Sequence, residues 1–210
     1  MSEPTSYLTV RRPAEAEIEV KRSRFLCRIE QVTTEEQARA AVEEERKRHW
    51  DARHHCSAFV LGPSADVQRS NDDGEPSGTA GAPMLEVLRG RDVSDVVAVV
   101  TRWFGGVLLG AGGLVRAYSD AVRAGLDEAG VRERRLVHMY DVDVPHADAG
   151  KLEHDLRAHE VAVLGVDYGA KVRLHLAVPA ADTEGLPRLL AGLSGGELEP
   201  EPGGSGWVDL

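Results

Sequence analysis

Val96-Val97-Ala98-Val99-Val100-Thr101-Arg102-Trp103-Phe104-Gly105-Gly106 is the stretch on which the fold turns. Its first five residues form a continuous, mostly β-branched apolar run, which predicts a fully buried strand. The strand leads directly into Arg102-Trp103-Phe104 and a glycine-rich bend from Gly105-Gly106 to Gly110-Ala111-Gly112-Gly113. Beyond the bend, Leu114, Val115, Tyr118, Val122 and Leu126 recur at helical spacing, predicting a helix that opens at about Leu114 and ends near Gly130.

Upstream, Ala14-Glu15-Ala16-Glu17-Ile18-Glu19-Val20 alternates apolar with charged, the pattern of a half-buried antiparallel strand. Arg24–Ile29 supplies its partner. Thr33-Thr34-Glu35-Glu36 reads as a capping box, Thr33 taking an orphan N–H and Glu36 reaching back, before a charged, Ala-rich helix to about His49. A strand follows at His55–Leu61 and a loop at Ser70–Gly81. Pro83 then sits at the first turn of a short helix through Met84-Leu85-Glu86-Val87-Leu88. The first unit therefore reads β-β-α-β-(β)-loop-α-β-α.

Downstream of Leu136 the rhythm changes. Val142 and Val144 suggest a strand, followed by a helix at Ala147–His159 and strands at Val161–Val166 and Lys171–Val178. A helix at Asp182–Leu193 and a short strand near Glu197-Leu198 close the unit. This βαβ-βαβ order is that of a ferredoxin-like split sandwich. Residues 14–131 and 136–200 are the expected domains of an α+β chain, joined through Arg132-Glu133-Arg134-Arg135. A flexible tail is expected at 201–210, because Pro200–Gly206 is rich in Gly and Pro.

Composition narrows the function classes. In 210 residues, 42% hydrophobic and 29% charged, no apolar run approaches the ~20 residues of a bilayer crossing. The N-terminal residues lack a secretory pattern, and two cysteines, Cys27 and Cys56, suit reduced thiols in a cytoplasm. Charge is unevenly spread: residues 1–135 sum to −2 and residues 136–210 to −8. Such a chain is repelled by phosphate backbones over most of its surface, which leaves room for a local basic site in the first part.

Three constellations carry candidate chemistry. In the bend, glycines allow close backbone approach and a helix start attracts anions, so Gly105, Gly106, Gly110, Gly112 and Gly113, flanked by Arg102 and Arg116, read as a phosphate cradle. Tight packing of strand on helix is the alternative. Trp103 and Phe104 could stack on a base or seal a core. The second constellation is Asp72-Asp73-Gly74-Glu75-Pro76-Ser77-Gly78-Thr79-Ala80-Gly81, whose carboxylates suit Mg²⁺ or acid–base work, a solvated turn, or a recognition loop formed by Asp72, Asp73, Glu75, Ser77 and Thr79. Its intervals do not fit an EF-hand. The third is Arg53-His54-His55-Cys56, where strand alternation makes a metal cluster awkward. A core thiol with surface imidazoles is the simpler reading, with Arg53, His54 and His55 as anion contacts. No catalytic residue, metal or cofactor is assigned.

These motifs together, with Lys21-Arg22-Ser23-Arg24-Phe25 and Asp51-Ala52 before Arg53, resemble the IMPACT/YigZ family over about residues 14–130, and residues 136–200 look like the smaller domain that bacterial members carry. The resemblance implies a first domain similar to the second domain of ribosomal protein S-five and to domain four of elongation factor G, and a second similar to that factor's ferredoxin-like fifth domain. It further implies a cytoplasmic, translation-linked, non-enzymatic protein with RNA or the ribosome as partner and no membrane. Two positions depart from the family: Ala82 stands where members commonly carry Lys or Arg, and Leu108 where many carry Lys. A module docking a basic protein is the second reading, and an enzyme on a phosphorylated small molecule the third.

Overall fold

A computed structural model describes residues 4–159, 161–180 and 185–209. The chain divides into two compact units, Met1–Glu133 and Arg134–Leu210. The α+β character agrees with the pattern in the sequence.

Unit 1 is built on an antiparallel sheet of β2 (Ala14–Val20), β3 (Ser23–Gln31), β6 (Val96–Trp103), β4 (His54–Leu61) and β5 (Val67–Asn71), in that spatial order. The apolar run lies at its centre as β6. Val96, Ala98 and Val100 pack with Phe25, Cys27, Ile29, Cys56 and Ala58 under helices α2 (Gly81–Gly90) and α3 (Ala111–Ala129). Val97 and Val99 face the other way, onto Phe59, Leu61 and the Ala38–Ala41 stripe of α1 (Glu35–Arg48). Cover on both faces is the reason β6 is apolar at every position from Val96 to Val100 instead of alternating. An additional strand, β1 (Ser6–Val10), precedes the strand expected to be first; Leu8 bridges Val93, and Tyr7 hydrogen-bonds Asp95.

Unit 2 runs β7 (Val131–Val144), α4 (His146–Ala158), β8 (Ala162–Tyr168), β9 (Val172–Pro179), α5 (Gly185–Ser194) and β10 (Glu201–Asp209). Its neighbours β10-β7-β9-β8 are all antiparallel. Val142, Val144, Leu174 and Leu176 form one core with Leu152, Leu156, Leu186 and Leu190 of the two helices.

Several expectations are corrected. The stretch 201–209, expected as a flexible tail, is strand β10, paired with β7 from Glu201↔Asp141 to Asp209↔Arg134. Ladder hydrogen bonds come from the backbone, so glycine content does not prevent pairing. Glu197-Leu198, expected as the last strand, lies outside any element, and Arg132–Arg135, expected as a linker, lies inside β7. Of the expected helix from Asp182, residues 182–184 lie outside the described residues. The cap of α1 sits one residue later than read: Thr34 accepts from Gln37 N, and the Gln37 amide oxygen accepts from Thr33 N at 2.7 Å. Among the described residues no helix is long and apolar enough to cross a membrane.

Candidate functional site

The candidate site occupies one end of the unit 1 sheet, where β6 leaves it through Arg102-Trp103-Phe104 and the hairpin β2–β3 turns at Lys21-Arg22. The turn has only two residues between the ladder pairs, and both take positive φ (48° and 68°), as a tight hairpin of matching twist requires. Gly105 lies directly against it. A Cβ there would stand 2.0 Å from the Arg22 carbonyl carbon and 2.5 Å from Ser23 N, so no larger residue fits without moving backbone. Gly105 N also donates to Ser23 Oγ at 3.2 Å, which fastens bend to turn. The glycines thus serve close approach of two backbones at position 105, and positive φ at Gly106 (83°) and Gly110 (74°).

Behind this surface lies a buried polar network. Arg102 is only 6% exposed, and its Nη1 meets Glu75 Oε1 at 2.5 Å. The same oxygen accepts from the Tyr118 hydroxyl at 2.7 Å. Cys56 Sγ lies 3.3 Å from that hydroxyl and 3.0 Å from the Asp72 carbonyl oxygen. The Arg102 guanidinium also lies over the rings of Phe25 and Phe104, at 5.4 and 5.8 Å from their centroids. Burial pushes the Cys56 thiol up to about 12, against the hydrogen bond with the Tyr118 hydroxyl that works the other way. A thiol held protonated is a poor nucleophile at neutral pH. Burial, followed by the neighbouring Cys56 and Glu75, likewise holds the Tyr118 phenol well above its ordinary range.

The acidic loop is organised around its own backbone. Asp72 Oδ1 accepts from Ala80 N and Gly81 N at 3.0 and 2.8 Å, and Oδ2 accepts from Gly78 N at 2.8 Å. Burial raises the Asp72 carboxyl, but these three donors outweigh it and leave it below the usual carboxylate range. Because Gly81 opens α2, Asp72 caps that helix from nine residues away. Asp73 accepts from His55 N at 2.6 Å and pairs with Arg46 at 2.7 Å. His54 Nδ1 donates to the Asp73 carbonyl at 2.8 Å, its Nε2 standing 4.0 Å from Glu75. Thr79 is buried and donates to the Pro76 carbonyl, while Ser77 is exposed. Among the described residues no three His, Cys, Asp or Glu side chains converge as a metal site would require.

Several expected contacts are corrected by this geometry. Arg102 does not project into solvent beside Arg116; its charge is taken up by Glu75. His55 is buried, its Nε2 3.1 Å from the His49 carbonyl, and burial above all lowers its basicity. Trp103 is unavailable for stacking: Arg24 covers one face at 4.5 Å, His49 meets the ring edge-on at 5.1 Å, and Nε1 donates to Asp51. Gly112 and Gly113 fall in the first turn of α3, which opens at Ala111, three residues earlier than the apolar spacing suggested.

What remains on the surface is simple. Lys21, Arg22, Arg53 and Arg116 are exposed, and among the described residues none of the four has a carboxylate partner. Arg53 immediately precedes the His54↔Arg102 pair, and Arg116 lies within the first two turns of α3. Most other arginines of the unit are paired, among them Arg12, Arg24, Arg28, Arg39, Arg89 and Arg123. On the bend between β6 and α3, Phe104, Val107 and Leu108 are exposed at 47, 39 and 82%. Lys21 and Arg22 stand in the motif Lys21–Phe25, but their place beside the bend depends on the Gly105 contact, which spacing alone does not reveal.

Residues 21–126 match the model of the Impact N-terminal domain, and residues 142–197 match a domain of unknown function, DUF1949. The IMPACT family member YvyE of Bacillus subtilis is 41% identical over 94% of this chain and 91% of its own length. The chain belongs to the IMPACT family. YigZ of Escherichia coli, another member, is 38% identical over 92% of this chain and 96% of its own. The protein IMPACT homolog of Saccharomyces cerevisiae is 38% identical but aligns with 50% of this chain and 43% of its own length. A crystal structure described as that of an hypothetical protein superposes with a TM-score of 0.64 at 36% identity, covering 94% of this chain and 97% of that one.

Proposed function

We propose that this protein is a cytoplasmic, translation-linked regulator that binds RNA or the ribosome through the cationic end of unit 1. The observation that carries the reading is the set of four unpaired cations, Lys21, Arg22, Arg53 and Arg116, around the glycine bend of a chain whose net charge is −10. Leaving cations unpaired at one place, in a surface where acids outnumber bases, favours a phosphate ligand there. The binding face would include the backbone of Gly105, Gly106, Gly110, Gly112 and Gly113, with the loop of Asp72, Asp73, Glu75, Ser77 and Thr79 beside it, tied to β4 and β6 through His54 and Arg102.

Family membership supports a role in translation. The likeness that the family resemblance implies, to the second domain of ribosomal protein S-five and to domain four of elongation factor G, supports an RNA partner. The β10-β7-β9-β8 order of unit 2 supports a ferredoxin-like fold of the kind found in that factor's fifth domain. A second reading rests on the −8 of residues 136–210, which suits a basic protein partner.

Ultraviolet crosslinking in cells, followed by identification of the RNA and protein recovered, tests the choice. The first reading expects ribosomal RNA attached to peptides within residues 21–24 or 103–116. Recovery of basic proteins on unit 2 peptides, without RNA, would overturn it in favour of the second.

A further inference from the structure

We infer that the ligand of this face is unpaired, single-stranded nucleic acid, and that Phe104 is the platform on which one of its bases stacks. The inference rests on the RNA reading above and specifies the class of RNA. Two aromatic residues follow β6, and the structure separates them. Trp103 carries Arg24 over one face, packs T-shaped with His49, and gives its indole N–H to Asp51. Phe104 is 47% exposed, and the guanidinium 5.8 Å from its centroid belongs to Arg102, which Glu75 holds buried. The ring therefore has a fixed support on one side and solvent on the other. The part of the ring left in water contributes no hydrophobic burial unless something covers it.

The surroundings specify the cover. Val107 and Leu108 add exposed apolar surface along the same bend, and Lys21 and Arg22 on the hairpin turn, Arg53 before β4 and Arg116 in the first two turns of α3 carry charge that no carboxylate among the described residues balances. A ligand that matches this pattern alternates flat apolar faces with phosphates at short spacing, which is the constitution of a single strand. A duplex offers the same phosphates but keeps its base faces stacked on each other, so it leaves Phe104 and Leu108 uncovered. Leu108 fits this argument: a lysine there would add a phosphate contact on either form, whereas leucine adds apolar surface that only splayed bases can use.

The test measures anisotropy of two fluorescein-labelled probes, an oligouridylate of about 12 nucleotides and a blunt RNA duplex of about 12 base pairs, both within the footprint of such surfaces. The wild-type chain is expected to prefer the single strand. Phe104→Ala, at an exposed site where the melting temperature should not move, is expected to weaken single-strand binding about tenfold and leave duplex binding unchanged. Phe104→Tyr, which keeps the ring, should restore the preference. If Phe104→Ala leaves single-strand affinity unchanged, or the wild-type chain prefers the duplex, the stacking inference is overturned while the RNA reading stands. If neither probe binds in a salt-dependent way, both fall. Binding of an acidic polyglutamate in place of both RNAs would reassign the face to an anionic protein and overturn both as well.

Discussion

The two units use charged residues in opposite ways. In unit 1 both faces of the sheet are covered, and a charge is carried inside: Glu75, its side chain 3% exposed, is held between Arg102 and Tyr118. In unit 2 the helices cover one face, and the strand positions of opposite parity carry exposed or half-exposed pairs. Arg173 lies 2.7 Å from Asp143, and the ring nitrogens of His175 lie 2.7 Å from Asp141 and 3.0 Å from Asp167. Low dielectric makes the first arrangement expensive to break, whereas water screens the second. The contrast teaches that the buried pair of unit 1 is a scaffold: it fixes loop, strand and helix so that the remaining cations can stand unpaired on a rigid surface.

Breaking the scaffold should have the largest effect. Glu75→Ala leaves the Arg102 charge buried and alone, which costs about 3–5 kcal/mol and should lower the melting temperature of unit 1 by roughly 10 °C or more. Glu75→Gln alone strands the same buried charge, and combining it with Arg102→Met removes both charges and should recover most of the loss, giving a large coupling in the double-mutant cycle of these two substitutions measured by thermal denaturation. Two additive losses would mean that the groups act separately and the scaffold does not exist.

The surface cluster of unit 2 sharpens the comparison from the small end. Hydrogen bonds donated by His175 to Asp167 and then to Asp141 raise its pKa above the ordinary 6.5. A raised pKa means that the folded chain holds the proton more tightly than the unfolded one. The stabilisation is therefore complete below the unfolded value and lost as pH rises through the folded value. His175→Gln should lower the melting temperature slightly at pH 6 and not at all well above neutrality, on the same chain in which Glu75→Ala is costly throughout that range. An equal loss at both pH values would show that His175 contributes by packing and not by charge.

The periodicities carried most of the fold. The unbroken apolar run Val96–Val100 and the alternation in Ala14–Val20 both correspond to strands, because the burial of a strand face is written in its period. Strand β10 escaped because Glu201–Gly206 has no side-chain pattern, its pairing being made by backbone alone. The glycine bend is legible in the residues, but the place of its most conspicuous cation is not. Parity contained the missing signal: Arg102 shares its face with Ala98 and Val100, towards the core under α2 and α3, whereas Trp103 shares its face with Val97 and Val99. The partner of Arg102, however, lies 27 residues upstream in the acidic loop. A charge distant in sequence does not announce which ion will neutralise it. Exposure and the absence of a partner, which distinguish Arg53 and Arg116 from their paired neighbours, exist only in three dimensions.

The account stands most directly on the salt dependence of RNA binding, measured with the oligouridylate probe for the wild-type chain and for the combined variant Lys21→Gln, Arg22→Gln, Arg53→Gln and Arg116→Gln. Four phosphate contacts on a single strand predict a slope of log affinity against log salt of about −3 for the wild type, falling close to zero in the variant while its melting temperature holds. A wild-type slope that persists in the variant would place the phosphate contacts elsewhere and contradict the account.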